Sequence, residues 1–252
     1  MNRVAALAYG TVCYAIFFAS FLYAIGFVGG FIVPTTLDGA PTAPLLTAVG
    51  INLTLLSIFA VQHSVMARPA FKRLWTRIVP EHLERSTYVL FSSLALIAVF
   101  AHWEPMGGTV WQIESTTGQA IAYTLFAFGW GLVLYATFLI NHFDLFGLRQ
   151  VWLYFRGKNY TPLTFRVPGA YKLVRHPLYV GWFFAFWATP NMTAAHFFFA
   201  AVCSAYILVA IQLEERDLID SLGKDYEDYR KRVPSLIPGL KRKSASKLAT
   251  AA

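Results

Sequence analysis

Four long runs of apolar residues contain no lysine or arginine, and a fifth uncharged stretch follows them along the chain. The runs cover about residues 4–33, 44–66, 86–101 and 118–141, and the fifth stretch covers 178–213. Roughly 20 apolar residues in a helix cross the hydrocarbon core of a bilayer. The first, second and fourth runs are long enough for this, whereas the third is short. We therefore expect an all-α, polytopic membrane helical bundle.

Pro190 and Asn191 interrupt the fifth stretch within the sequence ATPNMT. Both residue types favour turns and end helices. We therefore expect a membrane hairpin with a short arm over about 178–189 and a longer arm over about 194–213. Four N-terminal transmembrane helices plus this hairpin give five spans, or six if the short arm also crosses the bilayer.

The composition agrees with a membrane protein, because 13% of the residues are charged whereas soluble domains have roughly 25%. The two cysteines, Cys13 and Cys203, lie far apart in apolar segments and lack metal-ligand spacing. Neither a disulfide framework nor a metal site is therefore expected. The first apolar run is longer than the core of a signal peptide, and we interpret it as a membrane helix.

The positive charge is confined to the residues before the first apolar run, to those after the last one and to the segments between alternate runs. Of the 21 lysines and arginines, one is Arg3, five lie in 68–85, six in 149–175 and nine from Arg216 onwards. If each run crosses once, all of them lie on one side of the membrane, which the positive-inside rule assigns to the cytoplasm. The net charge of +8 then reflects topology and contact with anionic lipid headgroups, and we expect no nucleic-acid binding.

We expect one membrane domain over 1–252, since the chain has no obvious internal repeat. Its predicted parts are four transmembrane helices in 1–141, a cytoplasmic connecting segment in 142–177, the hairpin in 178–213 and a cytoplasmic segment from 214 to 252. The last of these ends in KRKSASKLATAA, whose composition is typical of a disordered tail.

Three polar clusters lie on the predicted cytoplasmic side, namely NHFDLFG (141–147), RHPLYVG (175–181) and EERDL (214–218). The hairpin brings the second and third clusters together, because one precedes its short arm and the other follows its long arm. Function is therefore expected at this membrane surface. A transporter is disfavoured, since transport sites usually lie near the bilayer midplane.

The clusters at 175–181 and 214–218 can form a pocket between them, with two walls of opposite charge. Arg175 and His176 precede a helix N-terminus, whose free N–H groups suit a carboxylate or phosphate, while Glu214 and Glu215 suit an ammonium group. Aromatic residues of the two arms, including Tyr206, offer π surface for a base or a sulfonium. A zwitterion carrying an aromatic base, such as S-adenosylmethionine, fits this description.

Each of these features also has a purely structural interpretation. Arg175 can serve as a topological anchor, His176 as an interfacial polar residue and the aromatic residues as a lipid-facing belt. Two glutamates at the end of a helix oppose its macrodipole, so at least one needs a cationic partner. The candidates are Arg175, Arg216 and a ligand ammonium group.

The order of the motifs RHPLYVGWF, an apolar hairpin and EERDLIDSLGKDYEDYRKRVPSLIPG resembles the isoprenylcysteine carboxyl methyltransferase superfamily of integral-membrane methyltransferases. The resemblance covers about residues 165–239. It implies that the hairpin and the following segment enclose S-adenosylmethionine at the cytoplasmic face. It also implies which residues bind this cofactor: His176, Tyr179, Gly181, Glu214 and Glu215. By position, Arg175 and His176 would meet the methionine carboxylate or ribose, and Glu214 or Glu215 the amino group.

The upstream motifs VQHSVMARPAFKRLW (61–75) and NHFDLFGLRQVW (141–152) resemble those of the bacterial methanethiol S-methyltransferases. This resemblance implies methylation of methanethiol to dimethyl sulfide in the inner membrane of a bacterium, with the active site facing the cytoplasm. The expected partners are a small-molecule thiol and the lipid bilayer, with no obligatory protein partner. Methylation of an isoprenylcysteine or protein carboxylate, or of a phospholipid amine, is the alternative, and a non-catalytic membrane scaffold is a third possibility.

A thiolate accepts a methyl group far more readily than a thiol, and a simple alkyl thiol ionises no more readily than cysteine, at roughly pKa 8.5. The enzyme therefore needs a base, a cationic field, or both. The sequence offers His142 as the proton acceptor, with Asp144 or Asn141 orienting its ring. His63 and Ser64 lie at a similar predicted depth and can complete a proton path. Alternatively, His142 has a structural role and Asp144 caps the next segment.

Overall fold

The computed structural model describes residues 2–240, so the tail KRKSASKLATAA lies outside the described residues. The described chain contains ten α-helices, a short 3-10 helix at Gly169–Lys172 and two short strands. The strands are β1 (Thr109–Gln112) and β2 (Asn191–Thr193). The helices are α1 (Arg3–Gly29), α2 (Leu45–Ala67), α3 (Pro69–Trp75), α4 (Glu81–His102), α5 (Thr116–Ile140), α6 (His142–Leu145), α7 (Leu148–Phe155), α8 (Pro177–Trp187), α9 (Ala194–Leu222) and α10 (Lys224–Arg232).

Five helices are long and apolar enough to cross a membrane, namely α1, α2, α4, α5 and α9. The predicted class, a polytopic helical membrane protein, is thereby confirmed. The helix that contains the third apolar run is longer than the run itself, because α4 begins at Glu81 and extends over 22 residues. Its first turn is polar, with Glu81 and Glu84, so hydropathy alone misses the start of this helix.

Polar side chains fix the beginnings of three of the long helices. Asn2 caps α1 by accepting a hydrogen bond from the Ala5 amide at 2.7 Å. Ser115 caps α5 and Thr193 caps α9 in the same way. Each cap satisfies one of the amide groups that a helix leaves unpaired at its N-terminus.

The predicted hairpin is formed by α8 and α9, with unequal arms. The 11 residues of α8 reach about 16 Å, less than the thickness of a hydrocarbon core. Extended residues then lead to β2, which pairs antiparallel with β1. This small sheet closes the end of the bundle opposite Arg175, and we call the Arg175 end the basic end.

The longer arm extends further than the hydropathy suggests, because α9 continues to Leu222. Glu214 and Glu215 therefore lie inside a helix, two turns before its end. The expectation that they oppose the macrodipole at a helix C-terminus is wrong, since that effect falls off within the last turn. Gly223, with φ at +55°, ends α9 and leads directly into α10.

Two glycines allow α5 and α8 to cross at close range. A Cβ atom on Gly181 would lie 2.8 Å from the backbone oxygen of Gly129 and 2.8 Å from the backbone nitrogen of Val133. No side chain fits at that distance. Gly181 thus has a packing role, which differs from the cofactor-binding role that the resemblance implied for it.

Candidate active site

Arg175 and Glu215 form a buried ion pair where α8 and α9 meet at the basic end. The Nη2 atom of Arg175 lies 2.6 Å from Glu215 Oε1, and its Nε atom donates to the same oxygen at 2.8 Å. His176 donates from Nε2 to this oxygen at 3.0 Å, and Arg230 lies 3.2 Å from Oε2. Three cationic or hydrogen-bonding side chains therefore hold one carboxylate.

Arg175 also fastens the chain that follows α10, and we call α10 with residues 233–235 the cover segment. Its Nη1 group donates to the backbone oxygens of Arg230 and Val233, at 3.1 Å and 2.5 Å. Two further bonds run from the Arg175 and His176 amides to the carbonyls of Pro234 and Ser235. Because four of the five guanidinium N–H groups are used internally, little of Arg175 is left for the predicted contact with a cofactor carboxylate.

Glu214, the neighbour of Glu215, is much more accessible. Its side chain is 43% exposed, whereas that of Glu215 is 8% exposed. One oxygen of Glu214 accepts a hydrogen bond from the Tyr179 hydroxyl at 3.0 Å and lies 3.8 Å from His176 Nδ1. No lysine or arginine among residues 2–240 pairs with it. Of the two predicted carboxylates, Glu214 is therefore the one available to a ligand.

A group of cations lies near Asp217 of α9, where α2 ends and α4 begins. Arg68 pairs with Asp217 at 2.8 Å, and Asp217 lies one turn of α9 beyond Glu214. Lys72 follows Arg68 by one turn, and its ammonium group has no hydrogen bond or ion pair within residues 2–240. Burial lowers the pKa of Lys72, and the nearby Arg85 guanidinium lowers it further. A half-buried, unpaired cation suits an anionic ligand group.

His142 lies at the start of α6, directly after a sharp turn at Asn141. Its Nδ1 atom is 2.8 Å from the Thr137 hydroxyl, and its Nε2 atom is 2.8 Å from the Tyr14 hydroxyl on α1. The side chain is almost completely buried, and its ring stacks on Phe138 with centroids 4.3 Å apart. Burial lowers the pKa of His142, so the neutral imidazole predominates at pH 7.

We expected Asn141 or Asp144 to orient the His142 ring, and this expectation is wrong. Both side chains make other contacts. The Asn141 side chain accepts a hydrogen bond from the Asp144 amide at 3.1 Å, which caps α6. The Asp144 carboxylate pairs with Arg149 at 2.8 Å and accepts a bond from the Tyr160 hydroxyl. Asn141 has φ at +154°, a strained value that stores about 1–3 kcal/mol in a residue other than glycine.

His63 forms a separate pair with Tyr88, whose hydroxyl lies 3.0 Å from both of its ring nitrogens. Its Nδ1 atom is also 3.2 Å from the Ser92 hydroxyl. Among the hydrogen bonds of the described chain, none connects His63 with His142. The predicted joint proton path is therefore not formed by direct hydrogen bonds.

Ser64 and Tyr206 connect α2 to α9 on the inner side of the same region. Their hydroxyl oxygens are 3.0 Å apart. Tyr206 is thus close to the cation group that contains Arg68, whose Nε atom donates to the Ser64 carbonyl oxygen at 3.3 Å. Tyr206 remains a candidate for contact with a ligand.

Several residues of the site have no signal in the sequence. Tyr14 and Thr137 lie inside apolar runs, and Tyr88 follows the polar start of α4. Lys72 and Arg230 look like ordinary positive-inside residues. For Thr137, the one available signal is that it lies one helical turn before Asn141, where the fourth apolar run ends.

The fold and this site define a class: a polytopic helical membrane protein with a polar, charged site at one end of its bundle. Methanethiol S-methyltransferase of Crocosphaera subtropica is 57% identical to this chain over 244 residues, which cover 97% of the chain and 96% of that protein. Methanethiol S-methyltransferase of Mycobacterium tuberculosis is 52% identical over 238 residues, covering 94% and 98%. The chain belongs to the methanethiol S-methyltransferase family, which confirms the predicted family.

A more distant similarity extends beyond these bacterial proteins. Nurim of Rattus norvegicus is 31% identical over 183 residues, which cover 69% of each chain. No family model and no solved structure matches the chain. The family assignment therefore rests on the similarity of whole sequences.

Proposed function

We propose that the protein transfers a methyl group from S-adenosylmethionine to methanethiol and so forms dimethyl sulfide. The observation that carries this proposal is that two adjacent carboxylates differ in their surroundings. Glu215 is held by Arg175, His176 and Arg230, whereas Glu214 is accessible and has no lysine or arginine partner in the described chain. Methanethiol is proposed as the acceptor because the relatives described above are named as methanethiol S-methyltransferases.

Glu214 and the cations near Asp217, one helical turn further along α9, fit the amino-acid end of the cofactor. Glu214 would bind the ammonium group, and the unpaired Lys72 would bind the carboxylate. Both are charge-assisted hydrogen bonds, which are roughly twice as strong as neutral ones. The Tyr179 hydroxyl holds Glu214 from the α8 side, and His176 lies next to both glutamates. Both residues therefore belong to the proposed binding site together with Tyr206.

The ion pair of Arg175 and Glu215 acts on the site indirectly. It fastens the cover segment to the start of α8, which keeps Glu214 and Tyr179 in place. Tyr229 adds a hydrogen bond from its hydroxyl to the Tyr171 carbonyl oxygen at 2.7 Å. We propose that the cover segment excludes water from the cofactor side, which strengthens the charged contacts there.

The cofactor supplies a methyl group on a sulfonium, and a thiolate displaces it more readily than a neutral thiol does. The chain must therefore remove a proton from methanethiol. We propose His142 as the final acceptor of that proton, since it is neutral at pH 7 and its ring is held on both sides. His63 is retained as a second candidate, because Tyr88 gives it a similar hydrogen-bonded setting.

We propose that the protein lies in the inner membrane of a bacterium with this site facing the cytoplasm. The described basic residues lie at the end of the bundle that contains Arg175, and the positive-inside rule places that end in the cytoplasm. The cytoplasmic face also has access to a soluble, charged cofactor. A small apolar thiol can reach the site from either the cytosol or the bilayer.

The test is to incubate purified, detergent-solubilised protein with S-adenosylmethionine and methanethiol and to measure dimethyl sulfide in the headspace by gas chromatography. Heat-inactivated protein is the control, and binding of S-adenosylhomocysteine is measured in parallel. We expect both product and binding. Binding without product would direct the search to lipid or protein acceptors, and absence of both would support the scaffold.

A further inference from the structure

We propose that Tyr14 is a catalytic residue that takes the proton from the thiol and passes its own hydroxyl proton to His142. This inference rests on the proposed function, because it names the proton route for the same methyl transfer. No residue pattern marks Tyr14 in the sequence. It follows from the hydrogen bonds around His142.

The Thr137 hydroxyl fixes which ring nitrogen of His142 carries the hydrogen. This hydroxyl has one hydrogen, and it donates that hydrogen to the carbonyl oxygen of Leu134 at 2.6 Å. Its oxygen must therefore accept from His142 Nδ1, which lies 2.8 Å away. In the neutral ring Nδ1 then bears the hydrogen, and Nε2 presents a lone pair.

That lone pair has one partner in the described chain, the Tyr14 hydroxyl at 2.8 Å. Because Nε2 can only accept, the phenol donates to it. The Tyr14 oxygen keeps its own lone pairs, and no other residue among 2–240 makes a hydrogen bond to it. A phenol whose hydrogen is donated to a base is prepared to accept another proton at its oxygen.

Aromatic rings prevent a thiol from reaching His142 directly. The imidazole is 2% exposed and is surrounded by the rings of Phe138, Phe143 and Phe146, besides that of Tyr14. Tyr14 itself is only half-buried. The phenol is thus the polar group through which the buried base can act on a substrate.

The surroundings of Tyr14 suit a small apolar thiol. Phe18 stacks on the Tyr14 ring with centroids 6.2 Å apart, and Phe143 lies at 6.3 Å. Both of these rings are partly exposed. Methanethiol can therefore approach the hydroxyl along the apolar surface of these two rings.

The proposed step balances in atoms and charge. The sulfur-bound hydrogen of methanethiol moves as a proton to the Tyr14 oxygen while the Tyr14 hydroxyl proton moves to His142 Nε2. The sulfur lone pair forms a bond to the methyl carbon of the sulfonium donor, and the electrons of the broken carbon–sulfur bond stay on the donor sulfur. A neutral thioether forms, and His142 returns the extra proton through Tyr14 to water.

Few other charged groups lie around this relay. On the α6 and α7 side, Asp144 and Arg149 neutralise each other in an ion pair. On the α1 side the group that faces His142 is Tyr14 itself. The pH dependence of the step should therefore report on His142 and the thiol.

The test compares Tyr14→Phe with Tyr9→Phe, a matched variant on the same helix whose hydroxyl bonds to Thr87 at 3.0 Å. Activity is measured with S-adenosylmethionine and methanethiol between pH 6.5 and pH 9.5. General acid–base catalysis is worth about 10²–10⁴-fold, so we expect Tyr14→Phe to lose at least about tenfold in kcat/KM at pH 7. The loss should shrink as the pH rises towards 9.5, because a growing fraction of the thiol is then ionised without a base. Tyr9→Phe should keep the wild-type activity and pH profile.

A second pair of variants tests the relay without touching Tyr14. Thr137→Ser keeps the oxygen that accepts from His142 Nδ1 and should retain activity, whereas Thr137→Val removes it and should lower activity at pH 7. Binding of S-adenosylhomocysteine shows that each variant is folded. Unchanged activity of Tyr14→Phe at pH 7, or a loss that stays constant with pH, would overturn the relay. Inactivity of the wild-type protein would instead count against the proposed function.

Discussion

Arg175 Nη2 lies 2.6 Å from Glu215 Oε1, and this ion pair joins the start of α8 to α9. Its carboxylate is buried, and Arg230 and His176 contact it as well. The next residue along the chain, Glu214, projects into a more accessible environment. Two adjacent glutamates thus have different surroundings. We expect substitution of Glu214 to affect ligand binding and substitution of Glu215 to affect stability.

Glu214→Gln should weaken the binding of S-adenosylhomocysteine and leave the stability of the protein nearly unchanged. Loss of one charge-assisted bond costs about 1.5–3 kcal/mol, which corresponds to a Kd weaker by roughly 10–150-fold. Isothermal titration calorimetry in detergent measures this. Wild-type affinity in this variant would remove Glu214 from the proposed site.

Glu215→Gln should mainly destabilise the fold. Removing one partner of a buried ion pair costs about 3–5 kcal/mol, since Arg175 then remains buried without its counter-charge. We expect a clearly lower midpoint of thermal unfolding and faster proteolysis of the cover segment. If Glu215→Gln unfolds at the wild-type temperature, the ion pair does not have the structural role assigned to it.

Lys72→Met should weaken cofactor binding if the unpaired ammonium group holds a carboxylate. Methionine keeps most of the apolar length of the side chain, so the packing of α3 is little affected. The matched control is Arg73→Met, which removes an exposed positive charge from the next position of the same helix. Equal affinities for S-adenosylhomocysteine in the two variants would show that general surface charge, and not Lys72, matters.

Gly181→Ala should destabilise the crossing of α5 and α8. The added Cβ atom would lie 2.8 Å from backbone atoms of both Gly129 and Val133, which cannot move aside like a flexible side chain. Overpacking of this kind costs about 1–3 kcal/mol. Gly131→Ala, at an open position of α5, is the control and should be neutral or slightly stabilising. The midpoints of thermal unfolding decide the question, and equal midpoints would contradict the close crossing.

The wild-type pH profile should keep its plateau down to about pH 6.5, because burial lowers the pKa of His142 from its usual value of 6.5. The neutral imidazole accepts the proton, so activity is lost only as the pH falls through this lowered pKa. The dependence of kcat/KM on pH between 5 and 9 measures it. An acidic limb centred above pH 7 would be inconsistent with His142 as the acceptor.

Hydropathy predicted the membrane-spanning helices well but missed their polar extensions. It marks a helix only where side chains face lipid, and the first turn of α4 and the last two turns of α9 are polar. Hydropathy therefore places Glu214 and Glu215 at the end of the helix, whereas α9 continues to Leu222. A helix that leaves the bilayer continues in water without an apolar signature.

The site was predictable where chain order determines proximity. The antiparallel arms of the hairpin bring residue 175 close to residue 215, so the RHP and EE motifs are enough to predict this contact. Tyr14 and His142 are 128 positions apart, and no pattern in either segment indicates their contact. The bonds from Arg175 to the carbonyls of Arg230 and Val233 were equally unpredictable, because every residue has a carbonyl group.

The most direct test of the account uses S-adenosylmethionine with a trideuterated methyl group, unlabelled methanethiol and the purified protein. Mass spectrometry of the headspace should detect dimethyl sulfide that carries one deuterated and one ordinary methyl group, at a rate that depends on protein concentration. Dimethyl sulfide without deuterium, or none at all in the presence of bound cofactor, would contradict methyl transfer from S-adenosylmethionine to methanethiol by this protein.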